Sequence, residues 1–204
     1  DCKNAKRLKK NRKTGYGNMV TDPLRFELST MPESIRRPPT NYAFINSQNL
    51  NLAIRDQGWV LDFVRFQKYL KEKYHISKSF LFIGFIPKNQ VLYTFLHEAG
   101  YILIFKPCMQ LPSGSVKGNV DAELVLHTMI EYSNYDQALL VTGDGDFACL
   151  VQYLAQQKKL LRLLIPNATK YSGLLKAVGS GKIDFMNNLQ KKLAKTQRGP
   201  IAQG

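Results

Sequence analysis

The stretch Ala138–Asp146 reads A-L-L-V-T-G-D-G-D, and its reading decides the fold. Four apolar residues, Ala138 to Val141, form a buried strand, too short and too tightly bounded by turn residues for a helix. Gly143 and Gly145 then alternate with Asp144 and Asp146. Phe147, Leu150, Val151 and Leu154 recur at i, i+3, i+4 and i+7, the stripe of a helix that packs back on a sheet. Two carboxylates therefore sit at the carboxyl end of a core strand, the edge where open α/β sheets build their sites. Like charges held this close repel, and a divalent cation relieves the repulsion. A Gly-Asp turn with Asp146 as helix N-cap accounts for the same motif, so the rest of the chain has to separate the two readings.

Outward from this stretch, strands alternate with helices. Tyr42–Ile45 is a β run that ends in Asn46-Ser47-Gln48-Asn49. Phe63, Phe66, Leu70 and Tyr74 have helical spacing, with Asp62 well placed near the N-terminus. Ser79–Gly84 is a second strand stopped by Pro87, and Gln90–Ala99 a helix closed by Gly100. Tyr101–Phe105 is a third strand, followed by a polar loop over 107–118. Asn119 stands ready to cap a helix with Asp121 in its first turn and Val120, Leu124, Met129 and Tyr132 on its apolar face. The helix after the central motif runs to about Gln157, and Leu160–Ile165 is the fifth strand. Tyr171–Val178 and Phe185–Leu193 read as two closing helices. Nearly continuous apolar strands between helices predict an α/β fold with a parallel sheet covered on both faces. Right-handed crossovers would bring every strand's carboxyl end to one edge.

At that edge four groups converge: Asn46 leaving strand one, Asp121 opening the helix after strand three, and Asp144 and Asp146 leaving strand four. Oxygen-bearing side chains at one rim suit Mg²⁺ or Mn²⁺, which keep some waters and take substrate phosphate into the shell. The chemistry implied is metal-assisted attack of water on a phosphodiester. Ser47 and Thr142 are placed to orient carboxylates or a metal water, although strand-end hydroxyls more often satisfy nearby backbone. Glu123, two residues after Asp121, points elsewhere on a helix. Arg55, Lys106, Lys117 and Lys170 are candidate phosphate contacts near the rim, each weighed against an ordinary solvated charge. Trp59, Tyr93 and Tyr171 are either base-stacking groups or, more commonly for aromatics in such a domain, core. His75, His97 and His127 share no spacing, which argues against histidine catalysis.

The bulk properties fit. In 204 residues the chain has 44% hydrophobic and 22% charged residues, enough for one domain plus extensions, and no apolar run is of membrane-spanning length. Cys2, Cys108 and Cys149 are odd in number and lack metal spacing, which gives no support to a zinc site and points to a reducing, cytoplasmic compartment. The net charge of +14 gathers at the ends: ten Lys/Arg against four Asp/Glu over 1–40, and four against none over 186–204. Residues 1–40, with Pro23, Pro32, Pro38 and Pro39, read as a disordered basic arm, and Met31 as a candidate natural start. The domain is expected over 41–178, with a C-terminal helix and basic tail over 179–204. Basic ends flanking a balanced middle suit a polyanion, or simply keep the chain soluble.

Three blocks together, F-I-N-S-Q-N-L at 44–50, K-G-N-V-D at 117–121 and T-G-D-G-D-F at 142–147, resemble the NYN family, the LabA-type branch of the PIN-like nucleases. The resemblance implies a three-layer α/β/α PIN-like fold with a five-stranded parallel sheet. It also implies an Mg²⁺- or Mn²⁺-dependent ribonuclease acting on single-stranded or structured RNA; RNA rather than DNA rests on the resemblance alone. Asp121, Asp144 and Asp146 match the family's acidic, metal-holding positions, and Asn49 matches the Asn of its D-x-x-N block. This chain has Asn46 where the family usually has Asp. Asn is nearly isosteric with Asp but is a neutral and weaker ligand. The expectation is a nuclease weakened or silenced at this position, or a PIN-like module that binds RNA or recruits a partner, a second copy included, without cutting. A dinucleotide-binding fold is excluded because no glycines follow the first strand. A haloacid-dehalogenase-type phosphatase would carry its nucleophile on the first strand, and an EF-hand would need acidic residues beyond Asp146.

Overall fold

The first strand, β1 (Asn41–Asn46), is buried along its whole length and alternates between two cores. Ala43 and Ile45 face one side of the sheet, and Tyr42 and Phe44 the other. A strand buried on both faces is what a continuous apolar run produces. The computed structural model describes residues 39–107, 109–110, 116–117, 120–179 and 181–196. Nearly all of the expected basic arm lies outside the described residues. So do Met31, Cys2, Cys108, the Asn119 cap, the middle of the 107–118 loop and the tail beyond 196.

Helix α1 (Ser47–Arg55) leaves β1 directly, followed by α2 (Phe63–Tyr74), β2 (Ile76–Phe85), α3 (Gln90–Glu98) and β3 (Tyr101–Pro107). Two short strands, β4 (Met109–Gln110) and β5 (Val116–Lys117), form an antiparallel ribbon within what the sequence presents as a polar loop. Then come α4 (Asp121–Ile130), β6 (Gln137–Val141), α5 (Ala148–Gln156), β7 (Leu160–Ile165), α6 (Gly173–Val178), β8 (Ile183–Phe185) and α7 (Gln190–Leu193). The main sheet has the order β3-β2-β1-β6-β7-β8, with every pairing parallel.

Helices cover both faces. Leu50 and Ile54 of α1, Phe66 and Leu70 of α2, Leu96 of α3 and Leu193 of α7 pack on one core. Leu124 of α4, Leu150, Val151 and Leu154 of α5 and Leu175 of α6 pack on the other. Each such side chain, fully buried, contributes roughly 1.5–3 kcal/mol against the entropy of folding. Asp62 caps α2, its carboxylate accepting from the Val64 and Arg65 amides at 3.0 and 3.1 Å.

Two expectations are corrected, and one element is added. The sheet has six strands, not five: Ile183–Phe185 adds to the edge beside Leu163–Ile165, and Phe185 is a strand residue, not part of a closing helix. Three residues are too few to carry a visible period, so only pairing reveals them. The second correction concerns the central turn, where a short 3-10 helix, Gly145–Phe147, precedes α5 and Asp144, not Asp146, is its cap. The element added is α1, nine residues of helix beginning inside the polar N-S-Q-N run, where the sequence reading assigns no element.

The order β3-β2-β1 on one side and β6-β7-β8 on the other makes β1/β6 the point where the chain direction across the sheet reverses. Crevices in open α/β sheets form at such switch points, outside the carboxyl ends of the strands.

Candidate metal centre

Asn46 is the last residue of β1 and the cap of α1. Its Oδ1 accepts from the Asn49 amide at 3.1 Å, and its Nδ2 donates to Asp121 Oδ1 at 3.2 Å. A capping side chain satisfies one of the helix's unpaired N-terminal donors. Asn46 is thereby held by both ends of its amide and is 4% exposed.

Asn49, one turn into α1, accepts the Gly143 amide on its Oδ1 at 2.7 Å. This bond ties α1 to the loop after β6 across the switch point. Within the loop, Thr142 Oγ1 accepts from the Asp144 amide at 3.1 Å, and Asp144 Oδ1 from the Asp146 amide at 3.1 Å. Thr142 is thus satisfied by local backbone. Gly145 has a steric reason as well: a Cβ there would stand 2.4 Å from Ser172 Oγ. Ser172 in turn donates its backbone amide to the Gly143 carbonyl at 3.1 Å and caps α6.

The chain segments so placed bring Asp121, Asp144 and Asp146 together, with one carboxylate oxygen of each within 4.8 Å of the others. Asp121 comes from the first turn of α4, and Asp144 and Asp146 from the turn after β6. With Asn46, Gln48, Asn49, Leu52 and Val120 they line a cavity of about 330 Å³, and none of these lining residues is a lysine or arginine. The donor set fits a small hard divalent cation: three carboxylates around one point, with room left for water and a phosphate oxygen. Asn46 presents its N–H to Asp121, while its oxygen is turned to the helix.

The other candidates fall in different places. Ser47 is buried as the first residue of α1. Glu123 is directed to Lys106, 3.1 Å away, and the two are each about a third exposed. Lys170 pairs with Asp56 at 3.0 Å. Arg55 is exposed on the last turn of α1. Lys117 lies on β5, its side chain outside the described residues. Trp59 and Tyr93 are core residues, with the Tyr93 hydroxyl engaging the Gly84 and Ile86 backbone. Tyr171 packs edge-on against Phe185. His127 lies against Phe82, and His75 takes a left-handed conformation at the end of α2.

Sequence reasoning missed Gln48 and Leu52 as cavity residues. Their i, i+4 spacing was the available signal, once α1 is known to be a helix.

Residues 42–180 match the NYN domain family. No curated protein matches the chain. The fold is similar to that in the crystal structure of a protein of unknown function from Vibrio parahaemolyticus, with a TM-score of 0.58 and 21% identity over 72% of this chain and 93% of that one. At that identity the likeness speaks for the fold alone. Among the described residues no helix is long and apolar enough to cross a membrane.

Proposed function

This chain belongs to the NYN family of the PIN-like nuclease superfamily, and on that premise we propose that it is a divalent-metal-dependent endoribonuclease domain whose activity is reduced by Asn46. The observation that carries the proposal is the meeting of Asp121 with Asp144 and Asp146 at the switch point. Nothing in the packing of an α/β domain requires three carboxylates to share one rim, and their mutual repulsion costs stability unless a cation offsets it.

Asp121, Asp144 and Asp146 would hold Mg²⁺ or Mn²⁺. Such an ion supplies a more acidic bound water and neutralises charge on the phosphate oxygens. The chain's own residues do the rest. Thr142 orients Asp144 through its backbone, Asn49 holds the central loop against α1, and Asn46 orients Asp121 through the amide N–H. Arg55 is the readiest phosphate contact, because Lys106 and Lys170 have carboxylate partners to exchange first. A reducing, cytoplasmic setting belongs with this reading.

The Asn46–Asp121 bond also favours a second reading, a module that binds RNA without cutting it, since the amide occupies an acceptor site that the carboxylate would otherwise offer a cation. One comparison separates the two. The chain and its Asn46→Asp variant are incubated with labelled single-stranded and structured RNA, in Mn²⁺, in Mg²⁺ and in EDTA. Metal-dependent cleavage that is stronger in the variant supports the nuclease. Inactivity of both, with RNA affinity retained, assigns the binding module.

A further inference from the structure

Helix α1 separates the acidic cavity from a second one, of about 450 Å³, between the last turn of α1, the start of α2 and the outer face of α3. Its walls are apolar and open to solvent: Val60 is 52% exposed, Val64 51%, Leu92 40% and Phe95 42%. Two cations, Arg55 and Lys195, line it as well, and neither has a carboxylate partner among the described residues. The Asp62 carboxylate is also present, but its charge is taken up by the Val64 and Arg65 amides and by the Arg65 guanidinium at 3.7 Å. Apolar groups of this size left exposed beside free cations mark a binding surface.

Residues that line the two cavities follow one another along α1. Gln48 and Leu52 line the acidic one, and Arg55, one turn beyond Leu52, lines the other. From Gln48 to Arg55 the helix rises about 10 Å, the length of about three stacked nucleotides at 3.4 Å each. A strand whose phosphate lies at the carboxylates would run on past Leu52 to this groove. A nucleotide is itself an apolar face joined to an anion, which is the pattern of Phe95 and Leu92 beside Arg55 and Lys195.

Building on the nuclease reading, we infer that this groove is a subsite for an unpaired nucleotide flanking the phosphate held at the carboxylates, with its base against Phe95 and its phosphate on Arg55 and Lys195. Stacking on an aromatic ring tolerates any base, so the subsite recognises single-stranded RNA without reading its sequence.

The test measures fluorescence anisotropy of the full chain with a labelled oligouridylate long enough to span both cavities, in Ca²⁺ so that a cation lets the carboxylates hold a phosphate, with the RNA verified as intact after each titration. Phe95→Ala weakens affinity about 5- to 100-fold with an unchanged salt slope, and Phe95→Tyr retains it. Arg55→Gln weakens it and lowers the log–log salt slope by about 0.7, one phosphate contact on a single strand. Phe95 is outside the core, and matched melting curves verify the fold of each variant. Unchanged affinity in Phe95→Ala and Arg55→Gln, alongside metal-dependent cleavage by Asn46→Asp, overturns the subsite and leaves the nuclease standing. Absence of cleavage with affinity still lost in Phe95→Ala supports the subsite while the nuclease reading falls. No RNA affinity in the parent chain overturns the subsite. Self-association abolished by Phe95→Ala, with RNA affinity intact, gives the groove to a second copy and also overturns it.

Discussion

Asn46 Nδ2 and Asp121 Oδ1 stand 3.2 Å apart, bridging the end of β1 and the first turn of α4 across 75 residues of chain. An amide donor here stabilises Asp121 without any ion, and a carboxylate in its place would add a fourth negative group to the cluster.

Asn46→Asp should therefore lower metal-free stability by about 1–2 kcal/mol, from the lost bond and the added repulsion. Mn²⁺ should then raise the melting temperature of the variant more than that of the parent, because ligand binding to the folded state stabilises it by mass action. EDTA should reverse the gain. Equal Mn²⁺ shifts in the two proteins would show that position 46 does not govern the ion.

Asn49 joins α1 to the central loop through the Gly143 amide at 2.7 Å. Asn49→Ala should cost about 1–3 kcal/mol by leaving that donor unsatisfied. Asn49→Asp keeps an acceptor at the same position and should stay closer to the parent. Urea unfolding of the pair tests this, and equal losses would deny the bond its role.

Gly145 and Ser172 should be coupled. A Cβ at 145 stands 2.4 Å from Ser172 Oγ and 2.9 Å from its Cβ, so Gly145→Ala must displace the cap of α6, at about 2 kcal/mol. Ser172→Gly alone should cost only a few tenths of a kcal/mol as a cap change. The double variant should be more stable than the sum of the two losses, and strict additivity in the cycle would rule out the clash.

Alkaline pH should destabilise the domain through its buried tyrosines. Burial, and then the hydrogen bond it donates to Asp184 Oδ2 at 2.7 Å, holds the Tyr74 hydroxyl's pKa far above its usual value; burial also raises Tyr101 and Tyr135. In the unfolded chain these groups ionise near pH 10, while in the folded one they keep their protons. The unfolded state then binds fewer protons, so stability is complete below about pH 10 and falls above it. Tyr74→Phe should flatten that fall in a melting series from pH 8 to 11. An unchanged slope would mean that Tyr74 is not a source of the loss.

The basic ends should add long-range affinity for RNA. Removing residues 1–38 and 197–204 should weaken binding and flatten its salt dependence without altering the melting temperature. The C-terminal cut cannot begin earlier, because Leu193 is buried in the core and Ala194 bridges to Leu61. An unchanged salt slope would make the ends bystanders.

Much of the architecture is written in local pattern. The α2 boundaries, Phe63–Tyr74, and the β7 boundaries, Leu160–Ile165, coincide with the sequence reading because their apolar spacing is strong and turn residues bound them. The carboxylates at 144 and 146 are legible for the same reason, as a motif carried within one turn.

What the sequence alone determined is the repeating strand–helix pattern and the chemical character of the rim, since hydrophobic period and residue type are properties of neighbours along the chain. Tertiary structure decided the rest: that Ile183–Phe185 completes a sixth strand, that Asn46 turns its N–H to Asp121, and that Lys106 and Lys170 are paired while Arg55 has no carboxylate partner among the described residues. Those outcomes depend on which atoms the sheet brings within about 3 Å, and no pattern along the chain encodes a distance through space.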